Sequence, residues 1–189
     1  MSRDLFQNRF LIPSARAAWH DYSGGMYFVT ICTAGREHYF GEIINGEMHL
    51  SEIGKYVEEQ IRNVSAHYPY AEISLWVIMP NHVHAIVVID GDNVPYERRV
   101  TNKLNVTTVE TRRATSLQPC ETANMQGWLS VVVGGIKSSV TKFANQNHIL
   151  FGWQPRFHDH IIRETDEMNR IAEYIETNVL RWESDEFYS

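Results

Sequence analysis

Cysteine is scarce: Cys32 and Cys120 are the only two in 189 residues, far apart and without a C-x-x-C. That argues against a disulfide framework and against a cysteine zinc site, and it fits reduced thiols in a cytoplasmic protein. No apolar run reaches the ~20 residues that a bilayer-spanning helix needs. The opening MSRDLFQNRF has no apolar signal core, so no membrane partner is expected. Positive charge is also in short supply, with Lys+Arg 17 against Asp+Glu 23 and a net charge of −6. General nucleic-acid binders are usually basic, so an anionic polymer here would have to be held locally. No H-E-x-x-H occurs, which leaves a zinc hydrolase without its usual general-base glutamate.

What the chain has is a hydrophobic content of 43%, enough for a core in one domain. Its charge is uneven. Between Gly127 and Arg163 the balance is positive, through Lys137, Lys142, Arg156 and Arg163 against Asp159; from Glu164 onward acids dominate. The first 25 residues read as a polar N-terminal extension. Met26 to Thr33 is β-branched and aromatic, the signature of a buried strand. Phe40 to Leu50 predicts a hairpin turning at Asn45-Gly46. Ser51 predicts a helix start, with Ile53, Tyr56, Val57 and Ile61 at helical spacing.

Leu75 to Asp90, LWVIMPNHVHAIVVID, is the segment with most chemistry. Two apolar runs flank Pro80-Asn81, too short a connection for a crossover, so the strands should pair antiparallel. His82 and His84 then point to one face, with Val83 to the other. Two such imidazoles can be ligands of one metal ion, and they can equally be ordinary strand histidines paired with polar neighbours. Residues 91–126 are Thr-rich and aperiodic and read as an exposed insertion. Its Arg98, Arg99, Arg112 and Arg113 are candidate phosphate contacts or simply solvated. Trp128 to Ala144 predicts a helix despite Gly134-Gly135, and Trp153 to Ile162 a last strand bearing His158 and His160. Thr165 is the expected cap of a final helix to about Asn178. In it Tyr174 and Asn178 lie one turn apart on one face. If that face packs on the histidine strand, Asn178 completes a three-ligand site; otherwise Tyr174 is core and Asn178 a cap. The element order predicts an α+β ferredoxin-like sandwich, an antiparallel sheet with helices on one face.

Taken together, MYFVTICTAGREHYFGEI, HLSEIGKYVEEQI, LWVIMPNHVHAIVVI, IKSSVTKFANQ and WQPRFHDHIIRETDEMNRIAEYIETN resemble the single-tyrosine HUH transposases, especially the REP-associated tyrosine transposase-like branch. The tail RWESDEFY also fits. The resemblance implies an HUH transposase-like domain over 26–180, with the 91–126 insertion, and a C-terminal tail over 181–189. It implies Tyr174 as nucleophile, His82, His84 and Asn178 as ligands of Mg²⁺ or Mn²⁺, and His160 lining the pocket. The implied activity is nicking and strand transfer on single-stranded or hairpin DNA through a covalent phosphotyrosine. Lys137, Lys142, Arg156 and Arg163 are the candidate DNA contacts. The chain departs from the pattern at Phe157-His158, where a Tyr-Tyr pair is common, and at Val179, where a proline often follows the asparagine. Two other readings compete: a non-catalytic DNA or RNA hairpin-binding module, and a zinc hydrolase built from both H-x-H pairs. A monomer and a homodimer, with tyrosine and histidines meeting within or between chains, both fit the sequence.

Overall fold

The computed structural model describes residues 5–6, 10–11, 24–94 and 122–188, the side chains of 5–6, 10–11 and 122–126 excepted. Arg98, Arg99, Arg112 and Arg113 therefore lie outside the described residues. Strands β1 (Leu5–Phe6) and β2 (Phe10–Leu11) pair antiparallel. The principal sheet holds β3 (Gly24–Cys32), β6 (Ala71–Ile78), β7 (His82–Asp90) and β8 (His158–Ile162) in the order β6-β7-β3-β8, all antiparallel. The hairpin β4 (Gly41–Ile44) and β5 (Glu47–Leu50) turns at Asn45 and Gly46. Both have positive φ, 52° and 79°, which is what a two-residue type I′ turn demands.

Helix α1 (Glu52–Arg62) begins as expected, with the Ser51 hydroxyl accepting the Gly54 N–H at 3.0 Å. It yields at Asn63 to the short α2 (Val64–His67). Helix α3 spans Thr122–Gln146, so the segment read as insertion is already helical in its last residues. Of its glycine pair, Gly135 is where Tyr68 packs, and a Cβ there would collide with the Tyr68 hydroxyl. Helix α4 (Thr165–Thr177) starts one residue off the expectation. Glu164 is the capping position, and no side chain caps it. The last strand is also shorter than read. Arg156 takes a positive φ of 68° just before it, leaving only an isolated bridge from Trp153 to Thr33.

Alternation along the sheet makes two cores. Val29, Ile31, Val83, Ala85 and Val87 pack with Ile53, Val57 and Ile61 of α1 and Val132, Val133 and Ile136 of α3. Ile86 and Ile162 point the other way and pack with Met168 and Ile175 of α4, beside Phe28, Leu75 and Val77. The expectation of helices on one face is thus corrected: α1 and α3 cover one face and α4 the other. The physical reason is visible in β7, where residues 82 to 87 are buried without a break. A strand apolar on both sides needs cover on both sides. Each isoleucine so buried contributes about 1.5–3 kcal/mol.

Candidate active site

The turn at Pro80-Asn81 feeds β7, and Met79 N–H donates to the His82 carbonyl at 2.8 Å to close it. His82 and His84 then face α4, 0% and 2% exposed, with ring centroids 4.4 Å apart. His82 Nδ1 lies 2.8 Å from Asn81 Oδ1, while its Nε2 is buried with no hydrogen-bond partner. His84 Nδ1 lies 2.9 Å from the Thr30 hydroxyl on the neighbouring strand. Its Nε2 lies 3.1 Å from the Tyr174 hydroxyl. Helix α4 crosses this face and brings Tyr174 over the pair. The Tyr174 hydroxyl donates to Asp185 Oδ2 at 3.2 Å. Phe28 stacks on His84 at 5.2 Å and meets Tyr174 edge-on at 6.2 Å.

Asp185 arrives from the segment after α4. A 3-10 turn over Val179–Ser184 folds the chain back across the histidines. Trp182 and Phe187 lie 6.1 Å and 4.6 Å from the His82 ring, and Arg36 sits 5.4 Å over the Phe187 ring. Ligand atoms of His82, His84 and Asp185 all lie within 4.8 Å of one another, the sole such group among the described residues. Asn178, the expected third ligand, is 1% exposed, and neither atom of its amide has a hydrogen-bond partner.

Burial sets the electrostatics. It pushes His82 down to about 2, with His84 and Arg36 adding to the effect. Burial also pushes His84 down to about 4, against the opposing pull of Asp185. Both rings are therefore neutral near pH 7 and keep a lone pair to offer. Tyr174 is pushed up to about 12, by burial and then by the Asp185 carboxylate, with the neighbouring Asn178 amide opposing. A phenol so placed keeps its proton until a positive charge or a paired base removes the penalty.

Of the other expected site residues, His160 is exposed on β8 and pairs with Glu167 at 2.6 Å. His158 and His160 share the face of His84, but β3 lies between the strands, about 10 Å of backbone separation. The two H-x-H pairs do not form one site, which corrects the paired-histidine zinc reading. Lys137 is on α3, across the sheet from α4. Its ammonium donates to the carbonyls of Gln154 and Arg156 at 2.8 and 2.9 Å, and desolvation lowers its pKa. Lys142 is exposed on the same helix, and Arg156 is exposed before β8. Arg163 follows Ile162, which pairs with Met26, at the opposite end of β3 from the Cys32–His82 pair. These four cations do not gather around the histidines. The residue missed in the sequence is Asp185. It stands in an acidic run, WESDEF, where nothing in spacing or patterning separates it from Glu183 or Glu186.

No family model matches the chain. Among solved structures, a REP-associated tyrosine transposase bound to a REP hairpin superposes with a TM-score of 0.49 at 21% identity, covering 84% of this chain and 68% of the other. A candidate transposase from Deinococcus radiodurans R1 gives 0.42 at 13% identity, covering 82% and 90%. Those superpositions are too loose to bear on activity. In sequence, an uncharacterized protein of Haemophilus influenzae is 36% identical over 177 residues, 93% of this chain and 92% of that one. Identity at that level along nearly the whole of both chains means that this chain belongs to the family of that Haemophilus influenzae protein.

Proposed function

We propose that the chain is a metal-dependent single-tyrosine HUH endonuclease on a ferredoxin-like sandwich, nicking and joining single-stranded or hairpin DNA through a covalent bond to Tyr174. One observation carries the reading. The Tyr174 phenol lies 3.1 Å from His84 Nε2 and 3.2 Å from Asp185 Oδ2, beside a buried His82 nitrogen that has no hydrogen-bond partner. The family resemblance carried by the five segments quoted above agrees with it. Tyr174 and His84 meet within one chain.

The donor set suits a divalent cation. His82 and His84 offer imidazole nitrogens, Asp185 a carboxylate oxygen, and Asn178 a buried amide oxygen. Mixed nitrogen and oxygen donors fit Mn²⁺, and the hard oxygens also fit Mg²⁺. When bound, such a cation supplies positive charge that polarises a non-bridging phosphate oxygen and steadies the charge developing there. The protein's own groups do the rest. Tyr174 Oη bonds to phosphorus as its proton passes toward Asp185 Oδ2. The P–O3′ bond breaks, and the released 3′ oxygen takes up a proton to become a hydroxyl. The phosphotyrosine conserves the bond, so a second 3′-hydroxyl can reverse the step and join strands without a nucleotide cofactor.

Because the chain is net acidic, the DNA must be held by local contacts and base stacking rather than by a global field. His158 and His160 are exposed on β8 and share the face of His84, and they are proposed as contacts to the DNA strand. Lys137, Lys142, Arg156 and Arg163 stand away from the histidines and are proposed as contacts farther along the strand.

The test is a denaturing gel of labelled single-stranded hairpin DNA incubated with the protein and Mn²⁺. A covalent adduct is expected, and it is expected to vanish in Tyr174→Phe. Tight binding without an adduct would favour a binding module, and stoichiometric zinc in the purified protein would favour a hydrolase.

A further inference from the structure

An imidazole that holds a metal must present a bare nitrogen, which requires the proton to sit on the other one. For His82 the hydrogen bonds settle which is which, through Asn81. The Asn81 residue is 1% exposed. Its Nδ2 lies 2.8 Å from the Phe187 carbonyl oxygen. A carbonyl only accepts, so that amide atom must be the NH₂ group. The other amide atom, Oδ1, lies 2.8 Å from His82 Nδ1 and also only accepts. His82 Nδ1 must then carry the hydrogen. What remains is Nε2 as a lone pair, the same buried atom that finds no partner in the protein.

The same amide reaches the carboxylate ligand. Phe187, whose carbonyl Asn81 holds, donates its own N–H to Asp185 Oδ1 at 2.7 Å. Asn81 is in turn fixed by its backbone. Its carbonyl accepts the Thr33 N–H at 2.9 Å and shares the Thr33 hydroxyl with the Glu37 carbonyl, which ties the turn to the end of β3.

We propose that Asn81 is a positioning residue with two effects. Its amide oxygen keeps His82 in the Nδ1–H form that presents Nε2 to a divalent cation. Its amide N–H holds the 185–187 turn that delivers Asp185 to the same ion. This rests on the metal-site reading above, and the two fail separately in the following experiment.

The full chain, stripped of metal and labelled with ¹⁵N-histidine, is examined by long-range ¹H–¹⁵N correlation and then titrated with Mn²⁺ in a calorimeter. Wild-type His82 is expected to show the Nδ1–H form. Asn81→Ala is expected to lose that preference and to bind Mn²⁺ roughly 10–100-fold more weakly. Asn81→Asp keeps an acceptor for His82 but offers no N–H. It is expected to retain the tautomer while the Phe187 amide exchanges faster with solvent. This second variant guards against an alanine form that does not fold. A wild-type His82 protonated at Nε2 would overturn the proposal, and so would an Asn81→Ala protein matching wild type in both tautomer and Mn²⁺ affinity. A wild-type chain that takes up no Mn²⁺ would overturn the metal site and the cation with it, while the nitrogen shifts still decide whether Asn81 sets the ring.

Discussion

His82 and His84 are basic side chains held where they cannot be charged. Their pKa values, about 2 and about 4, lie below the ordinary ~6.5 of an unfolded chain. Between those values and 6.5 the unfolded state binds protons that the folded state refuses. Stability must therefore rise with pH across that window and fall as pH drops through it. The slope is on the order of 1.4 kcal/mol per pH unit for each ring. Urea midpoints of metal-free protein should fall steadily from pH 6.5 to 4.5, and a His82→Gln, His84→Gln double variant should lose that part of the slope. Asp185 makes a second expectation. Its carboxylate raises the Tyr174 pKa and would give the cation an oxygen. Asp185→Asn should bring the phenol back down from about 12, read as phenolate absorbance against pH, and should weaken Mn²⁺ binding at the same time. If Mn²⁺ affinity stays at the wild-type value, Asp185 is a hydrogen-bond acceptor and not a ligand.

Helix α4 carries both an anchor and the proposed nucleophile. Ile175 holds it to the sheet and Tyr174 faces the histidines, on adjacent positions that diverge by about 100° around the axis. Ile175 is 1% exposed and packs with Ile86, Ile162 and Met168. Ile175→Ala should cost about 2–5 kcal/mol by denaturant melting. Exposed Glu173→Ala on the same helix should stay within about 0.5 kcal/mol. An Ile175→Ala loss as small as that of Glu173→Ala would mean that α4 is not seated on the sheet as described. Much of this helix is readable from the sequence. Its apolar stripe and the one-turn spacing of Tyr174 and Asn178 follow from a period of 3.6. The hairpin at Asn45-Gly46 is readable too, because only a few residues accept two successive positive φ angles. The cap of α4 is not readable, since Thr165 and Glu164 are both plausible start residues and the choice depends on how β8 hands over to the helix.

Considered whole, the molecule buries two faces of one sheet, and the site sits on the smaller of them. The metal-binding residues would come from β7 and from the returning tail, segments about 100 positions apart in the chain. A cation that binds the folded chain and not the unfolded one must stabilise it, by about 2.7 kcal/mol at a hundredfold excess over Kd. Mn²⁺ should therefore raise the melting temperature and a chelator should reverse the rise. The shift should disappear in the His82→Gln, His84→Gln protein. No helix among the described residues is long and apolar enough to cross a membrane.

Periodicity is a local property, and what it governs was already set along the chain: the strands, the helix faces, the shared direction of His82 and His84, the alignment of Tyr174 with Asn178. Packing is not local. The return of the tail past Asn178 brings Asp185 to the histidines. Cover on both faces puts α4 opposite α1 and α3. The intervening β3 keeps His158 and His160 out of the buried pair. Each of these depends on which surfaces meet once apolar area leaves water, and no spacing of letters records that.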